Sequence, residues 1–225
     1  MRLLVTHLTR MTYPRICVAG LDLETAAHVR PVRTAADPLT LSDTREHGGM
    51  FVLGGVADLG PMTPCGSPPE TEDHRYDPRT AEFAHMASED EIWSMLRTVA
   101  SNDLHEIFGP ELRTVGDTYA VDVGAGRASL GCLRARQPLD LYVGSAAGKP
   151  RLRLALPLAG HDRDLAVTDL RLFTADFSAP NGEAVQEINE KLKGAEEILL
   201  SVGLSRPFPR TEPRHWLQVN TIFSR

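Results

Sequence analysis

The sequence predicts a mainly β protein with a few helices, because strand-like segments far outnumber helix-like ones. At least nine short segments combine β-branched or alternating apolar residues with turn residues at their ends, whereas three segments show helical spacing of apolar residues. Hydrophobic residues make up 42% of the 225-residue chain and charged residues 24%, which is typical of a globular protein. A chain of this length can bury a substantial core, as one large domain or as two smaller ones.

Strand-like segments begin near the N terminus and recur to the end of the chain. Pro31 predicts an edge strand or a strand end, because proline has no N–H to donate to a neighbouring strand. Glycines within Met50–Val56 indicate a bulge or a sharp bend. The predicted strands are Leu3–Thr6, Arg15–Gly20, His28–Val32, Met50–Val56, Thr118–Val123, Ser129–Arg136, Leu139–Val143, Arg151–Leu156, Leu165–Val167, Ile198–Val202 and His215–Ile222.

Three helices are predicted from their start and stop signals. The first follows Ser88, which with Glu91 gives the capping-box pattern at the start of an apolar stripe. The second begins near Asn102 and ends at Gly109-Pro110. The third follows Pro180-Asn181-Gly182 and ends near Gly194.

A long Pro- and Gly-rich segment, Leu59–Arg79, predicts a surface loop with a functional role, because loops of this length are rarely mere connections. Gly124-Ala125-Gly126 is the best candidate for a joint between two halves. We therefore expect a first domain over residues 1–124, which carries the long loop and the helical insertion, and a second domain over residues 125–225.

The charge distribution limits the class of partner. The net charge is −6, but residues 1–112 hold 9 Lys and Arg against 17 Asp and Glu, whereas residues 113–225 hold 15 against 13. An acidic protein lacks the long-range attraction that drives avid non-specific nucleic-acid binding. Any nucleic-acid binding therefore requires a local groove, to which the C-terminal half is the better contributor.

Cysteine usage and hydropathy predict a cytoplasmic protein without a metal, a cofactor or a membrane segment. Cys17, Cys65 and Cys132 stand far apart and form neither a disulfide framework nor a four-ligand zinc cluster. No apolar run approaches the roughly 18–20 residues that a membrane span requires. The short apolar start is better interpreted as a first strand than as a signal peptide.

The sequence lacks three common catalytic patterns, namely the serine-hydrolase elbow, the phosphate-binding P-loop and the dinucleotide-binding glycine fingerprint. The acidic cluster at Glu70 to His74 is the one enzymatic alternative. Glu72, Asp73 and His74 could hold a divalent cation and a general base in a metal-assisted nuclease or nucleotide hydrolase. A solvated loop, or a structural clasp between loops, is the favoured interpretation of the same residues.

Arginines next to aromatic residues suggest a different function. Arg30 and Arg33 flank Pro31-Val32 on a predicted strand, and Arg206 precedes an aromatic segment that ends at Trp216. Single-strand binders pair guanidinium groups, which hold phosphates, with aromatic rings, on which bases stack. An arginine-rich surface beside buried aromatic residues is the alternative interpretation.

Short motifs in chain order resemble the dual OB-containing domain family of prokaryotes. In that family one segment usually reads W-[IV]-R-P-V, and here His28 stands at the tryptophan position before Val29-Arg30-Pro31-Val32. The other matching segments are Arg15–Gly20, Glu72-Asp73, Ser129–Gly131, Val167–Asp169, Ser201–Phe208 and His215–Asn220.

The resemblance implies two OB-like barrels and a role in binding nucleic acid or nucleotides in bacterial conflict or defence systems. We expect two tandem Greek-key barrels packed as one unit, with single-stranded nucleic acid or a nucleotide-like ligand bound on a barrel face. Arg30 and Arg206 are the candidate phosphate contacts, and His28 and Trp216 the candidate stacking groups. A protein-interaction module that recruits an effector is the second alternative.

Overall fold

The protein is mainly β, as the sequence predicts. A computed structural model describes residues 1–34, 36–146, 148–158, 160–208 and 211–225. Strands account for 46% of the chain and helices for 17%, and the strands form two multi-stranded sheets. None of the helices in these ranges is long and apolar enough to cross a membrane.

The first sheet is built from the N-terminal strands, in the spatial order β5-β6-β3-β2-β1-β4-β7. Most neighbours are antiparallel, but β3 and β6 are parallel. The seven strands are β1 (Arg2–Arg10), β2 (Ile16–Asp22), β3 (His28–Val32), β4 (Gly55–Asp58), β5 (Thr63–Pro64), β6 (Asp73–Arg75) and β7 (Glu82–Met86).

The second sheet contains the remaining described strands. Its main path runs in the order β12-β13-β14-β16-β15-β11-β8, and β10 joins β16 to β9 beside that path. The strands are β8 (Ala100–Ser101), β9 (Arg113–Val115), β10 (Thr118–Asp122), β11 (Leu130–Ala135), β12 (Asp140–Ala146), β13 (Lys149–Leu158), β14 (His161–Val167), β15 (Ile198–Leu204) and β16 (Arg214–Ser224).

The three predicted helices are confirmed as α1 (Glu89–Val99), α2 (Leu104–Phe108) and α3 (Gly182–Gly194). Ser88 and Glu91 form the predicted capping box, in which the Ser88 hydroxyl accepts from the Glu91 N–H and the Glu91 carboxylate accepts from the Ser88 N–H. Asn181 caps α3 through its side-chain oxygen. The local capping chemistry therefore sets the helix starts.

Each sheet covers its own apolar core, and a third cluster joins the two. Leu152, Leu154 and Leu156 alternate along β13 and point into the larger core, which leaves Arg151, Arg153 and Ala155 on the other face. The joining cluster contains Leu21 of β2, Trp93 and Leu96 of α1, Cys132 of β11 and Leu199 of β15. Helix α1 is thus packed against strands of both sheets.

A β-bulge in β1 brings a polar residue to the junction of the sheets. The register with β2 shifts between Val5 and His7, so Leu3, Val5 and Leu8 all reach the first core although their numbers do not alternate. The bulge directs the buried His7 ring toward the backbone of Gly131 and Val202 in the second sheet.

One strand prediction is wrong in its bounds. Met50–Val56 is not one continuous strand, because the chain makes the predicted sharp bend at Gly54, where φ is +75°, and β4 begins only at Gly55. Pro31 lies at the predicted strand end, one residue before β3 finishes at Val32, and not on an edge strand, since β3 is flanked by β2 and β6. Proline is tolerated there because pairing with β2 ends at Val29 and the β6 side is bonded through the Arg30 N–H.

The prediction of a purely surface loop over Leu59–Arg79 is also wrong. The segment contains β5 and β6, and Glu70, Glu72 and Asp73 are buried in it. Strand pairing passes from one sheet to the other between Met86 and Ala100, before the joint predicted at residue 124. The domain boundary itself stays a prediction.

Candidate functional site

The exposed face of the second sheet carries a row of side chains that crosses four strands. In the strand register Tyr142 of β12 is opposite Arg153 of β13, Arg153 is opposite Ala166 of β14, and Ala166 is opposite Gln218 of β16. Directly opposed residues project from the same face of a sheet. The row therefore places an aromatic ring, a guanidinium and an amide along one line.

Beside this row the surface forms an open groove of about 320 Å³. Its walls combine aromatic, cationic and neutral polar side chains. We call it the aromatic groove, and it is lined by Thr118, Arg153, Ala166, Ser205, Phe208, Trp216, Leu217 and Gln218.

Hydrogen bonds fix the Trp216 indole in the groove. Its Nε1–H donates to the Phe208 carbonyl oxygen at 2.6 Å, and its backbone N–H donates to Ser205 Oγ at 3.0 Å. Phe208 is tied back to β16, because its N–H donates to the Arg214 carbonyl oxygen at 3.0 Å. The Phe208 side chain itself is 67% exposed, so a large apolar ring faces solvent next to a held indole.

The Arg153 guanidinium is also held in place. Its Nε donates to Asp164 Oδ2 at 2.9 Å and its Nη2 donates to the Asp164 carbonyl oxygen at 2.8 Å. Burial raises the pKa of the neighbouring Tyr142, and a hydrogen bond to Asp164 raises it further. The groove thus presents one oriented cation whose charge is shared with one carboxylate.

Chemically, the aromatic groove suits a flat ring with a polar edge and a nearby anionic group. Aromatic side chains stack on nucleobases of any sequence, and an arginine fork pairs with phosphate oxygens. The amide of Gln218 and the hydroxyl groups of Thr118 and Ser205 supply neutral donors and acceptors along the same walls.

The predicted phosphate contact Arg30 lies in a different place, at the junction of the sheets. Its guanidinium is 4% exposed and donates to Asp73 Oδ1 at 2.7 Å and to Ser129 Oγ at 2.9 Å. Ser129 in turn donates from its N–H and its hydroxyl to the Glu72 carboxylate, at 2.7 and 2.8 Å. This chain of bonds ties the first sheet to the start of β11 in the second.

Arg206, the second predicted phosphate contact, extends the same network. It forms ion pairs with Asp73 at 2.7 Å and with Glu70 at 3.2 Å, and Glu70 also lies 3.4 Å from His215 Nδ1. Arg206 remains 45% exposed, but its two terminal nitrogens are engaged. We call the whole network the clasp, which comprises Arg30, Glu70, Glu72, Asp73, Ser129 and Arg206.

The clasp also accounts for the residues of the enzymatic alternative. Both Glu72 oxygens accept hydrogen bonds from Ser129, one of them also from the Leu130 N–H, and both Asp73 oxygens accept from arginines. His74 Nδ1 lies 2.9 Å from the Glu72 carbonyl oxygen rather than from a carboxylate. Across the described part of the chain, no group of three or more His, Cys, Asp and Glu side chains is placed to hold a metal ion.

His28, the predicted stacking residue, packs edge-on against His7, with the ring centroids 5.7 Å apart. Burial lowers the pKa of His28 to about 4, and burial also holds the pKa of His7 well below its ordinary value. Neither Nε2 atom has a hydrogen-bond partner among the described residues. The two rings are therefore neutral at pH 7 and lie inside the junction, away from the aromatic groove.

Of the four predicted ligand-binding residues, the structure brings Arg30 and Arg206 together in the clasp and places Trp216 in the aromatic groove. Phe208 and Arg153 are groove residues that the sequence analysis did not select. The signal for Arg153 was present, because the alternation of Arg151 to Leu156 marks its arginines as the exposed face of a strand. Asp169 caps the turn that follows β14, since its side chain accepts from the Arg171 N–H.

Comparison with known families identifies the chain. The family model of the dual OB-containing domain matches residues 1–222, so the chain belongs to the dual OB-containing domain family, as its motifs suggested. No curated protein and no solved structure matches the chain. OB folds bind oligonucleotides and oligosaccharides on a strand face and its flanking loops, so family membership indicates a nucleic-acid- or oligomer-binding module.

Proposed function

We propose that this protein binds single-stranded nucleic acid, or a nucleotide-like ligand, in the aromatic groove of the second sheet. The observation that carries the proposal is the alignment of Trp216, Phe208 and Arg153 around one open groove on a strand face. In this arrangement one base stacks on the aromatic rings while Arg153 pairs with the adjacent phosphate. A bacterial conflict or defence context is consistent with the family and is part of the proposal.

The arginines of the clasp contribute to the structure of the protein rather than to ligand binding. Arg30 is buried and both of its terminal nitrogens are bonded within the protein, so a phosphate would have to displace Asp73 and Ser129 to reach it. By contrast, Arg153 and Trp216 are only half-buried and line open space. We therefore transfer the phosphate role proposed for Arg30 to Arg153 and retain Trp216 as a stacking group.

A single strand fits the groove better than a duplex. Stacking on Trp216 and Phe208 requires an unpaired base whose face is free. A broad basic track is not expected in a chain of net charge −6, and the arginines on the exposed face of β13 are Arg151 and Arg153. With two phosphate contacts, the slope of log K against log[salt] is expected to be about −1.4, at roughly 0.7 counterion released per contact.

Fluorescence anisotropy with labelled DNA and RNA oligomers at low salt tests the proposal. Phe208→Ala should weaken binding by about 1–3 kcal/mol for the loss of one stacked base, without loss of stability, because the ring is exposed. Arg153→Gln should weaken binding of all sequences and flatten the salt slope.

Matched control variants can be made in the N-terminal part of the chain, which forms the first sheet. Tyr13→Ala removes another exposed ring, 56% exposed, and Arg79→Gln removes an exposed guanidinium that pairs with Asp77. Both controls should bind as the wild type does. If the folded wild type binds no oligomer and no nucleotide at millimolar concentration, the groove is not a nucleic-acid site and a protein-interaction module becomes the better function.

A further inference from the structure

Four arginines surround a second opening, on the opposite part of the second sheet from the aromatic groove. The opening has a volume of about 410 Å³ and lies where the end of α1, the end of β11 and the start of β15 meet. The aromatic groove lies instead on β13, β14 and β16. We call this opening the arginine groove; its charged residues are Arg97, Arg134, Arg136, Arg225, Glu196 and Glu197.

Glu197 holds two of these arginines so that they converge on one carboxylate. Arg97 donates through Nε at 2.9 Å and through Nη2 at 2.5 Å to Glu197 Oε2, and Arg134 pairs with Oε1 of the same group. The hydrogen bonds from Arg97 are the main reason that the pKa of Glu197 lies below its usual value. The groove is therefore already shaped around an oxyanion.

The other two arginines are much less neutralised. Arg136 is exposed and has no ion-pair partner among the described residues. Arg225 lies over the Trp93 ring at 4.9 Å, and its nearest carboxylate is the fully solvated Asp90 at 3.9 Å. Stacking on an aromatic ring fixes the position of a guanidinium without cancelling its charge.

The balance of charge in the arginine groove is opposite to that of the whole protein. Four arginine side chains face Glu196, Glu197 and, at the edge, Asp90, which leaves a local side-chain charge of +1 in a chain of net charge −6. A guanidinium fork matches the oxygens of a phosphate group, and several forks around one opening can hold more than one phosphate. A carboxylate ligand would add only one negative charge to a site that already contains Glu197.

We propose that the arginine groove is a binding site for a phosphate-bearing ligand with two or more negative charges, such as a diphosphate group. Arg136 and Arg225 make the first contacts, and Arg97 and Arg134 are held in position behind them by Glu197. The proposal does not rest on the aromatic groove, because the two sites share no residue. The phosphate can come from an inorganic polyphosphate or from a nucleotide, and the test separates these sources.

Isothermal titration calorimetry with inorganic pyrophosphate tests the site. Pyrophosphate should bind with one-to-one stoichiometry, and Arg136→Gln or Arg225→Gln should each weaken binding about tenfold, which corresponds to roughly 1.4 kcal/mol. Arg136→Lys, which keeps the charge but loses the fork, should fall between the wild type and Arg136→Gln. Arg79→Gln, a substitution of an exposed paired arginine elsewhere, should leave the affinity unchanged.

Two further titrations make the outcome decisive. A nucleoside diphosphate that binds no more tightly than pyrophosphate assigns the site to the phosphates alone, whereas tighter binding that Phe208→Ala leaves unchanged assigns it to a nucleotide. An oligoglutamate peptide that binds more tightly than pyrophosphate overturns the proposal. It is also overturned if pyrophosphate fails to bind, or if both glutamine variants bind pyrophosphate with the affinity of the wild type.

The arginine groove and the aromatic groove can be tested separately. Phe208→Ala should leave pyrophosphate binding unchanged, and Arg136→Gln should leave the binding of an unphosphorylated nucleoside unchanged. Loss of one activity with retention of the other therefore identifies which of the two sites has failed.

Discussion

Removal of the central carboxylate of the clasp is expected to destabilise the protein strongly. In Asp73→Ala the Arg30 guanidinium, which is 4% exposed, loses its only ion-pair partner among the described residues and keeps a single neutral partner, Ser129 Oγ. The partly exposed Arg206 also loses its shorter ion pair, at 2.7 Å, and retains Glu70.

The size of the destabilisation depends on which charged group is left without a partner. An uncompensated buried charge left by removal of one partner costs about 3–5 kcal/mol, whereas an exposed ion pair contributes about 0–1 kcal/mol. Nearly all of the loss in Asp73→Ala therefore comes from Arg30, and we expect about 4 kcal/mol in the free energy of unfolding. Arg30→Met should cost less, because Asp73 keeps Arg206 as its partner.

Urea unfolding followed by circular dichroism and tryptophan fluorescence measures these changes. Trp93 lies in the apolar cluster that joins the two sheets, so its emission reports on the loss of contact between them. The double variant Arg30→Met with Asp73→Ala removes both charges and should be more stable than Asp73→Ala alone by about 2 kcal/mol, because no uncompensated buried charge is left.

A surface ion pair provides the control. Asp77→Ala removes the partner of Arg79, which is 87% exposed, and should change stability far less than Asp73→Ala does, because solvent screens an exposed pair. The account of the clasp is refuted if Asp73→Ala costs no more than Asp77→Ala. It is refuted equally if the effects of Asp73→Ala and Arg30→Met simply add in the double variant.

Three other predictions concern thiols, pH and helix capping. Cys132 is buried and burial raises its pKa to about 12, whereas Cys65 is exposed, so mass spectrometry should find a thiol reagent on Cys65 in the native protein and on Cys132 only after unfolding. Burial lowers the pKa of His28 to about 4 in the folded protein, whereas an unfolded histidine has a pKa of about 6.5. Between these two pH values the unfolded chain therefore binds one more proton at His28 than the folded chain does. The stabilisation from the neutral His28 ring is therefore complete above pH 6.5 and is lost as pH falls toward 4. The loss is at most about 3 kcal/mol, at 1.36 kcal/mol per unit of pKa difference. His28→Gln should flatten the dependence of stability on pH, measured by urea unfolding at several pH values. Ser88→Ala should cost about 1 kcal/mol through loss of the α1 cap, measured by thermal unfolding.

The sequence was sufficient for the elements whose signals are local. Ser88 with Glu91 and Asn181 carry the capping chemistry of α1 and α3 within one helical turn, so both helix starts could be located from the sequence. The alternating leucines of β13 similarly identified a strand with one buried face. Such signals need no knowledge of the partners of an element.

The clasp could not be assembled from the sequence, because its parts come together only by tertiary pairing. Arg30 meets Asp73 through the parallel pairing of β3 with β6, and Arg206 approaches from beyond β15. The Pro- and Gly-rich composition around β6 does not distinguish a surface loop from a short buried strand between turns. The acidic residues were therefore expected in solvent or in a loop clasp, and their role in joining the two sheets was not specified.

Only part of the aromatic groove could be predicted from the sequence. Trp216 and its neighbouring arginines suggested a stacking surface, but Arg153 lies 63 residues earlier in the chain and enters the groove through the register of β13, β14 and β16. Residues with suitable chemistry could be selected from the sequence; the register then decided which of them share one surface.

Quenching of Trp216 fluorescence by a single-stranded oligomer tests the central claim most directly. The chain has two tryptophans, and Trp93 is 3% exposed in the core, so a base that stacks in the aromatic groove quenches Trp216 alone. The account predicts saturable quenching in the wild type, with the same dissociation constant as anisotropy, and its loss in Trp216→Phe. Oligomer binding without any quenching in the wild type, or quenching that persists in Trp216→Phe, would contradict the account.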